Sequence, residues 1–445
     1  MDTICAIATS HGIGSISVIR VSGSDALLFA QKLSHKDTFS PRHATLSYLY
    51  DSKNDVIDQA IVIYFKAPFS FTAEDVVEFQ CHGGVVVARM VIDELLHVGA
   101  KLAQPGEFSK RAFLNGRIDL SEAEAIASLI ETKSIDAAKI LARQMKGDLK
   151  HFVNDTRDAL LEILAFVEVN IDYAEEDLPS DIMRLILEKL LHVKALLQKT
   201  YETSKQREGL ISGFKVAIVG KPNVGKSSLL NMLLNYDRAI ISDIAGTTRD
   251  TIEEEVRVGT HLIKIVDTAG IREASDSIEK IGIERSIQAM DDSEIIIAMF
   301  DNASICDEQD AKMLSILNNY KKDKHIVMAL NKCDLDNKFD TSLLGEDYVS
   351  LSCHRNGDVI IERLKLLLDK TPIDDGLILT TKRQMEAVKF AFEEIQNSEM
   401  LLSEGELELF AFHINTAIES IASISRPFER DEILDKMFGS FCLGK

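Results

Sequence analysis

The sequence predicts a multidomain protein of α/β and α architecture. An α+β domain stands at the N-terminus, and a discontinuous helical domain is interrupted by an inserted phosphate-loop domain with a mostly parallel sheet. Three observations predict this. The first 117 residues alternate strand-like runs with turn signals. From Leu120 onward apolar residues recur at three and four, with no proline between Pro105 and Pro179. Between about 210 and 370, strand-sized apolar runs alternate with helical ones, as in a doubly wound sheet. The 445 residues suffice for roughly two to four domains. The expected boundaries are 1–117, 118–209, 210–370 and 371–445.

Within the first segment, Thr3 to Ala8, Ser15 to Val21 and Val56 to Phe65 read as strands, and Glu78 lies on a further alternating stretch. A helix from about Gly84 to Val98 stops at Gly99. Ser121 and Glu124 have capping-box spacing at the head of the first long helix. A second helical region runs from Thr381 to Ser425, between Pro372 and Pro427.

The inserted domain carries the chemistry. Gly220-Lys221-Pro222-Asn223-Val224-Gly225-Lys226-Ser227 matches G-x-x-x-x-G-K-[ST] at every specified position, after the strand-like Phe214 to Val219 and before a helical run that opens at Ser228. Glycines let main-chain N–H groups crowd a polyphosphate, and the helix start adds partial positive charge. Lys226 would pair with the β- and γ-phosphates, and Ser227 would hold Mg²⁺. Asn331-Lys332-Cys333-Asp334 follows the buried-strand pattern Ile326 to Leu330. A carboxylate at Asp334 accepts from the N1–H and 2-amino groups of guanine, whereas adenine would leave it unpaired. Asn331 would contact the base edge, and the stem of Lys332 would cover the ring. Ser352-Cys353-His354, after the strand-like Tyr348 to Leu351, stands where a last guanine loop belongs.

Asp267-Thr268-Ala269-Gly270 ends an apolar strand, so that Asp267 reads as a partner of the Mg²⁺ shell and Gly270 as the γ-phosphate sensor. Ser242-Asp243-Ile244-Ala245-Gly246-Thr247-Thr248 supplies threonines for a switch, with Thr248 assigned to Mg²⁺. Ile271 follows Gly270 and cannot orient water, so hydrolysis needs a polar group from Arg272 to Glu279. The developing charge also needs an offset. An arginine finger is one solution, and a monovalent cation held by Asn223 is another.

Further motifs lie outside the inserted domain. They are Asp2 to Thr9, Val18-Ile19-Arg20-Val21-Ser22-Gly23, Asp75 to Gly84, Pro105 to Arg117 and the terminal Phe441-Cys442-Leu443-Gly444-Lys445. With them the chain resembles, from end to end, the MnmE (TrmE) family of bacterial tRNA uridine-5-carboxymethylaminomethyl modification GTPases, Era-like GTPases that lack the catalytic glutamine. The resemblance implies GTP hydrolysis activated by K⁺, a homodimer, and joint work with the FAD-dependent partner MnmG in a heterotetramer-type complex on the wobble uridine of certain tRNAs. It also implies that the N-terminal domain is of folate-binding type and takes 5-formyltetrahydrofolate. The folate contacts carry over to Arg20, Glu78, Arg117 and Lys445. The K⁺ ligands carry over to Asn223, Ser242, Ile244 and Thr247, the water-positioning glutamate to Glu279, and the cysteine needed for modification to Cys442. The chain departs from the family pattern at Ser10-His11, Arg117, Ser242 and Leu443.

On residue chemistry alone, Cys442 could be an activated thiol or could pack its sulfur against a helix end. A ribosome-assembly or other RNA-binding regulatory GTPase shares every feature of the inserted domain and is the alternative reading. A net charge of −21 argues against coating nucleic acid by general electrostatics, and the basic cluster Lys101, Lys110, Arg111 and Arg117 reads as a solvated face. No apolar run approaches a membrane span. Six scattered cysteines without metal spacing, and no signal-like N-terminus, give a cytoplasmic expectation in which most cysteines are buried or inert.

Overall fold

The computed structural model describes residues 2–10, 12–172, 181–238, 254–266, 286–369 and 376–426, together with 434, 437–439, 441 and 444. The chain divides into two compact units, one of residues 1–130, 143–195 and 386–445, the other of 131–142 and 196–385.

In the first unit a six-stranded sheet has the order β3-β4-β5-β2-β1-β6. Its strands are β1 (Ile4–Ile7), β2 (Ile16–Ser22), β3 (Thr45–Tyr50), β4 (Val56–Phe65), β5 (Val76–His82) and β6 (Lys101–Leu102). Only β6 pairs in parallel, with β1. Period-two alternation sends Ile19, Val21, Val77, Phe79 and Cys81 into a core shared with Phe29 and Leu33 of helix Ala26–Ser34 and with Val91 and Leu95 of helix Val85–His97. Burying each such large side chain contributes about 1.5–3 kcal/mol. Residues between them, Arg20 and Glu78 among them, take the opposite face. Long helices Leu120–Glu131, Asp148–Asp172, Lys382–Glu404 and Leu407–Ala422 follow the predicted spacing.

The capping box sits two residues earlier than the sequence suggested. Asp119 Oδ1 accepts from the Glu122 amide and Glu122 Oε2 from the Asp119 amide, each at 2.8 Å. Ser121 instead donates to Asp119 Oδ1 at 2.7 Å. Aspartate caps as well as serine, and two acidic residues three apart satisfy the motif equally well.

In the second unit the sheet order is β12-β11-β10-β7-β9-β8. The strands are β7 (Phe214–Val219), β8 (Glu254–Val258), β9 (His261–Val266), β10 (Ile295–Asp301), β11 (His325–Asn331) and β12 (Tyr348–Ser350). All neighbours are parallel except the β8–β9 hairpin. Strand β10 is buried along its whole length. Ile295, Ile297 and Met299 join the core on one face, and Ile296, Ala298 and Phe300 the core on the other. That is the pattern of a parallel strand covered on both sides. Helices Lys226–Arg238, Glu308–Tyr320 and Asp358–Leu368 complete the layers, and the loops at the carboxyl ends of β7, β10, β11 and β12 form one rim.

Candidate nucleotide site and N-terminal polar cluster

The loop between β7 and helix Lys226–Arg238 is built for close approach. Gly220 has φ +151° and Gly225 φ +107°. A Cβ on Gly220 would lie 2.6 Å from the Met299 carbonyl, and one on Gly225 would lie 2.2 Å from Asn331 Nδ2. Asn223 also has a positive φ, 63°. Such a run turns successive N–H groups inward, the geometry of an anion nest. Lys226 Nζ donates to the carbonyls of Gly220 at 2.7 Å and Lys221 at 2.9 Å. Burial pushes its pKa down. These partners are carbonyls rather than carboxylates, so the ammonium is a partly desolvated cation placed where an anion would relieve it.

Three loops of the rim converge on one residue. Asn331, 3% exposed, donates from Nδ2 to the Val224 carbonyl at 2.8 Å and accepts at Oδ1 from the Cys353 amide at 3.2 Å. Its amide thus joins the phosphate loop, the Asn331–Asp334 loop and the Ser352–His354 loop. Lys332, at φ 64°, holds Asp301 Oδ2 at 2.7 Å. Burial would raise the Asp301 pKa, but the Lys332 ammonium and the Ala303 amide outweigh it and hold the carboxyl below its ordinary range. Asp334 is exposed at the rim. The Ser352 hydroxyl first, then its own main-chain N–H and the nearby Arg355 and His354, keep its carboxylate ionised below the usual range. Cys353 is half-buried, and burial pushes its thiol up to about 11.

In the first unit, Arg20 and Glu78 are cross-strand partners and pair through Arg20 Nη2 and Nε to Glu78 Oε1, each at 2.9 Å. The guanidinium lies 5.0 Å from the Phe71 ring centroid and 5.8 Å from that of Phe108. Arg117 Nε donates to the Ser70 carbonyl at 3.3 Å. The segment Ser70–Glu74 therefore links Arg20 to Arg117. It is itself held by Ser22, whose hydroxyl meets Thr72 Oγ1 and Glu74 Oε2 at 2.7 Å, and by Asn115 Nδ2 on the Thr72 carbonyl at 2.7 Å. Arg111 corrects the reading of a solvated basic face. It is 5% exposed and pairs with Glu74 at 3.1 Å and Glu107 at 2.8 Å. Spacing on helix Glu107–Leu114 places Glu107 and Arg111 one turn apart, a pairing that a count of basic residues overlooks. Gly444 lies against β1, where a Cβ would meet the Ile7 carbonyl at 2.3 Å. An open cavity of about 230 Å³ is lined by Thr9, Ile13, Ser17, Gly83 and Val85 among others, and not by Arg20, Glu78 or Arg117.

Residues 3–117 match the model described as the GTP-binding protein TrmE N-terminus, and residues 120–442 match the MnmE helical domain. The chain is 59% identical over 444 residues to the tRNA modification GTPase MnmE of Aliarcobacter butzleri, covering 100% of this chain and 99% of that one. The chain belongs to the MnmE family of tRNA modification GTPases. It is also 57% identical over 445 residues to the MnmE of Sulfurovum sp., with 100% and 99% covered. The G domain of T. maritima FeoB is similar at 23% identity and a TM-score of 0.25, covering 36% of this chain and 98% of that one.

Asn223, Val224, Gly225, Lys226, Ser227, Ser228, Asn331, Lys332, Asp334, Ser352, Cys353 and His354 stand on the rim of the parallel sheet. The switch residues Ser242, Asp243, Ile244, Ala245, Gly246, Thr247 and Thr248 lie outside the described residues, as do Asp267, Thr268, Ala269, Gly270 and Glu279, and the tail residues Cys442 and Lys445. Cys5 and Cys81 are buried, with thiols pushed up to about 12 by burial, and Cys306, Cys333 and Cys353 are partly exposed. Among the described residues no helix is long and apolar enough to cross a membrane, and no group of three or more His, Cys, Asp or Glu is set to hold a metal. Sequence reasoning missed Lys221, whose ammonium meets two carboxylates at the head of helix Glu308–Tyr320, and it missed the clip made by Asn331.

Proposed function

We propose that this MnmE-family protein binds GTP on the rim of the second unit and hydrolyses it in the course of tRNA wobble-uridine modification. The observation that carries the proposal is Lys226. A partly buried ammonium on carbonyl oxygens, at the end of a loop whose Gly220 and Gly225 leave no room for a side chain, exchanges those weak partners for phosphate oxygens. Loop amides and the helix start bind the polyphosphate, Asp334 reads the guanine edge, and the Lys332 stem covers the ring. Ser227 and Thr248 would hold Mg²⁺, which when bound would supply charge neutralisation to the phosphates. Gly270 senses the γ-phosphate, and Glu279 positions the attacking water in place of a glutamine. Asn223, Ser242, Ile244 and Thr247 would hold K⁺, which would offset charge where an arginine finger otherwise would. Asn223 fits this part, because it stands exposed on the phosphate loop and carries an amide oxygen of the kind a monovalent cation takes.

The finer assignments belong to the same reading. The N-terminal unit binds 5-formyltetrahydrofolate with Arg20, Glu78, Arg117 and Lys445. The paired Arg20 and Glu78 fit a pterin-like donor–acceptor edge, with Phe71 beside them for stacking. The functional parts are residues 1–117, 118–209, 210–370 and 371–445, with Cys442 in the modification step. The protein works in the cytoplasm as a homodimer with the FAD-dependent partner MnmG on tRNA. GTP-state association of the G domains orders the switches and hydrolysis releases them.

Mass analysis of tRNA nucleosides from cells lacking the protein tests this reading. Loss of the 5-substituted wobble uridine, restored by the wild-type chain and not by Cys442→Ser, is the expected result. An unchanged nucleoside profile contradicts it.

A further inference from the structure

The phosphate-loop pattern leaves its second position open, yet in this chain Lys221 occupies it with a defined set of contacts. Its ammonium meets Asp310 Oδ2 at 2.6 Å and Asp307 Oδ2 at 2.9 Å. Its side chain is 14% exposed, and that of Asp310 is 2% exposed. Both carboxylates belong to one capping box. Asp307 is the N-cap of helix Glu308–Tyr320 and accepts from the amides of Gln309 and Asp310, while Asp310 accepts at Oδ2 from the Asp307 amide at 3.2 Å. At its other end, the Lys221 carbonyl receives Lys226 Nζ at 2.9 Å. Asp310, Lys221 and Lys226 therefore form a continuous chain from a rigid helix start to the phosphate lysine.

The two lysines of the loop are thereby given different tasks. Lys226 rests on neutral carbonyl oxygens and gains by exchanging them for phosphate. Lys221 is already neutralised by two carboxylates, and transferring it to a phosphate would leave Asp310 buried and uncompensated, a costly outcome. The tether at its side chain restrains the Lys221 main chain at the loop mouth. The Gly220 and Lys221 carbonyls that seat Lys226 are held with it.

We propose that Lys221 is a positioning residue for nucleotide binding: anchored on the Asp307–Asp310 capping box, it fixes the phosphate-loop backbone and the resting place of Lys226, and it does not itself bind phosphate. The proposal rests on the GTPase reading above. Preorganisation of this kind acts on the bound ground state, so its loss raises KM more than it lowers kcat.

The test uses the full-length chain, with steady-state GTP hydrolysis and calorimetric GDP binding for wild type, Lys221→Met, Lys221→Arg and the double variant Asp307→Asn/Asp310→Asn, each checked for folding by circular dichroism. Asparagine keeps the helix capped. Lys221→Met is expected to raise KM and the GDP dissociation constant about tenfold with kcat reduced less than about threefold, and Lys221→Arg to recover most of the loss. The double variant separates positioning from direct contact, because it leaves Lys221 in place and frees its charge. Positioning predicts weaker nucleotide binding in the double variant, and direct phosphate contact predicts binding that is unchanged or tighter. Wild-type KM in Lys221→Met, or binding in the double variant that is unchanged or tighter, overturns the proposal. If Lys221→Met does not fold, the double variant alone decides. Wild-type protein that neither binds GDP nor hydrolyses GTP would instead sink the GTPase reading.

Discussion

Asn331 donates from its side-chain amide to the main-chain carbonyl of Val224 at 2.8 Å, across 107 residues of sequence. With the Cys353 amide on its oxygen, it ties the phosphate loop, the Asn331–Asp334 loop and the Ser352–His354 loop into one assembly. Asn331→Ala would leave a buried carbonyl and an amide without this partner, about 1–3 kcal/mol for each such group. The expected outcome is a lower unfolding midpoint in calorimetry together with weakened GDP binding. An unchanged midpoint with weakened binding would mean that the residue touches only the base.

Gly225→Ala tests the same contact from the other side. The added methyl would stand 2.2 Å from Asn331 Nδ2 at a φ of +107°, where two penalties coincide. GDP binding measured by calorimetry should be lost while far-ultraviolet circular dichroism stays native-like. Retained affinity would show that the loop relaxes freely.

Lys226 gives a pH dependence with a definite sign. Burial lowers its pKa from the ordinary 10.5 in the free protein. The neutral form is therefore favoured on folding, and at neutral pH the buried charge costs stability that returns as pH rises through the lowered value. A bound polyphosphate raises the pKa again. Between the two values, binding must take up a proton, and affinity must fall as pH rises through that window. GDP titrations in alkaline buffers of different ionisation enthalpy measure this directly. Proton release, or affinity that rises with alkalinity, would contradict the assignment of Lys226 to phosphate.

Arg20→Ala separates the N-terminal site from its scaffold. It removes the partner of Glu78 and the cation over Phe71 while leaving the Ile19, Val21 and Phe79 core intact. Binding of 5-formyltetrahydrofolate, followed by fluorescence, should fall at least about tenfold. Because the pair is only partly buried, the unfolding midpoint should move by no more than a few degrees. Normal folate affinity would remove Arg20 from that site.

The parts legible in the sequence are those whose cause is local. Strand β7 was read at its observed bounds, because an apolar run ends at a glycine that must leave the strand. Strand β10 was readable because six consecutive apolar residues can be covered on both faces only in a sheet of this kind. Strand β3 escaped notice. Its Leu46 and Tyr48 face outward, so apolar side chains lie on both faces and no clean alternation remains. The capping box slipped by two residues because Asp119 with Glu122 and Ser121 with Glu124 have the same spacing and similar local chemistry. The Asn331 clip, the tether of Lys221 and the burial of Arg111 on Glu74 are long-range pairings, with no signal at either residue until the topology brings the partners together.

The central claim is that a guanine nucleotide sits on the rim, with its phosphates on the Gly220–Ser227 loop and its base on Asp334. Calorimetric titration of the full-length protein with GDP and with ADP, in magnesium and potassium, tests it most directly. The account predicts saturable one-site binding of GDP and none of ADP at the same concentrations. Equal binding of both nucleotides, or of neither, would contradict it.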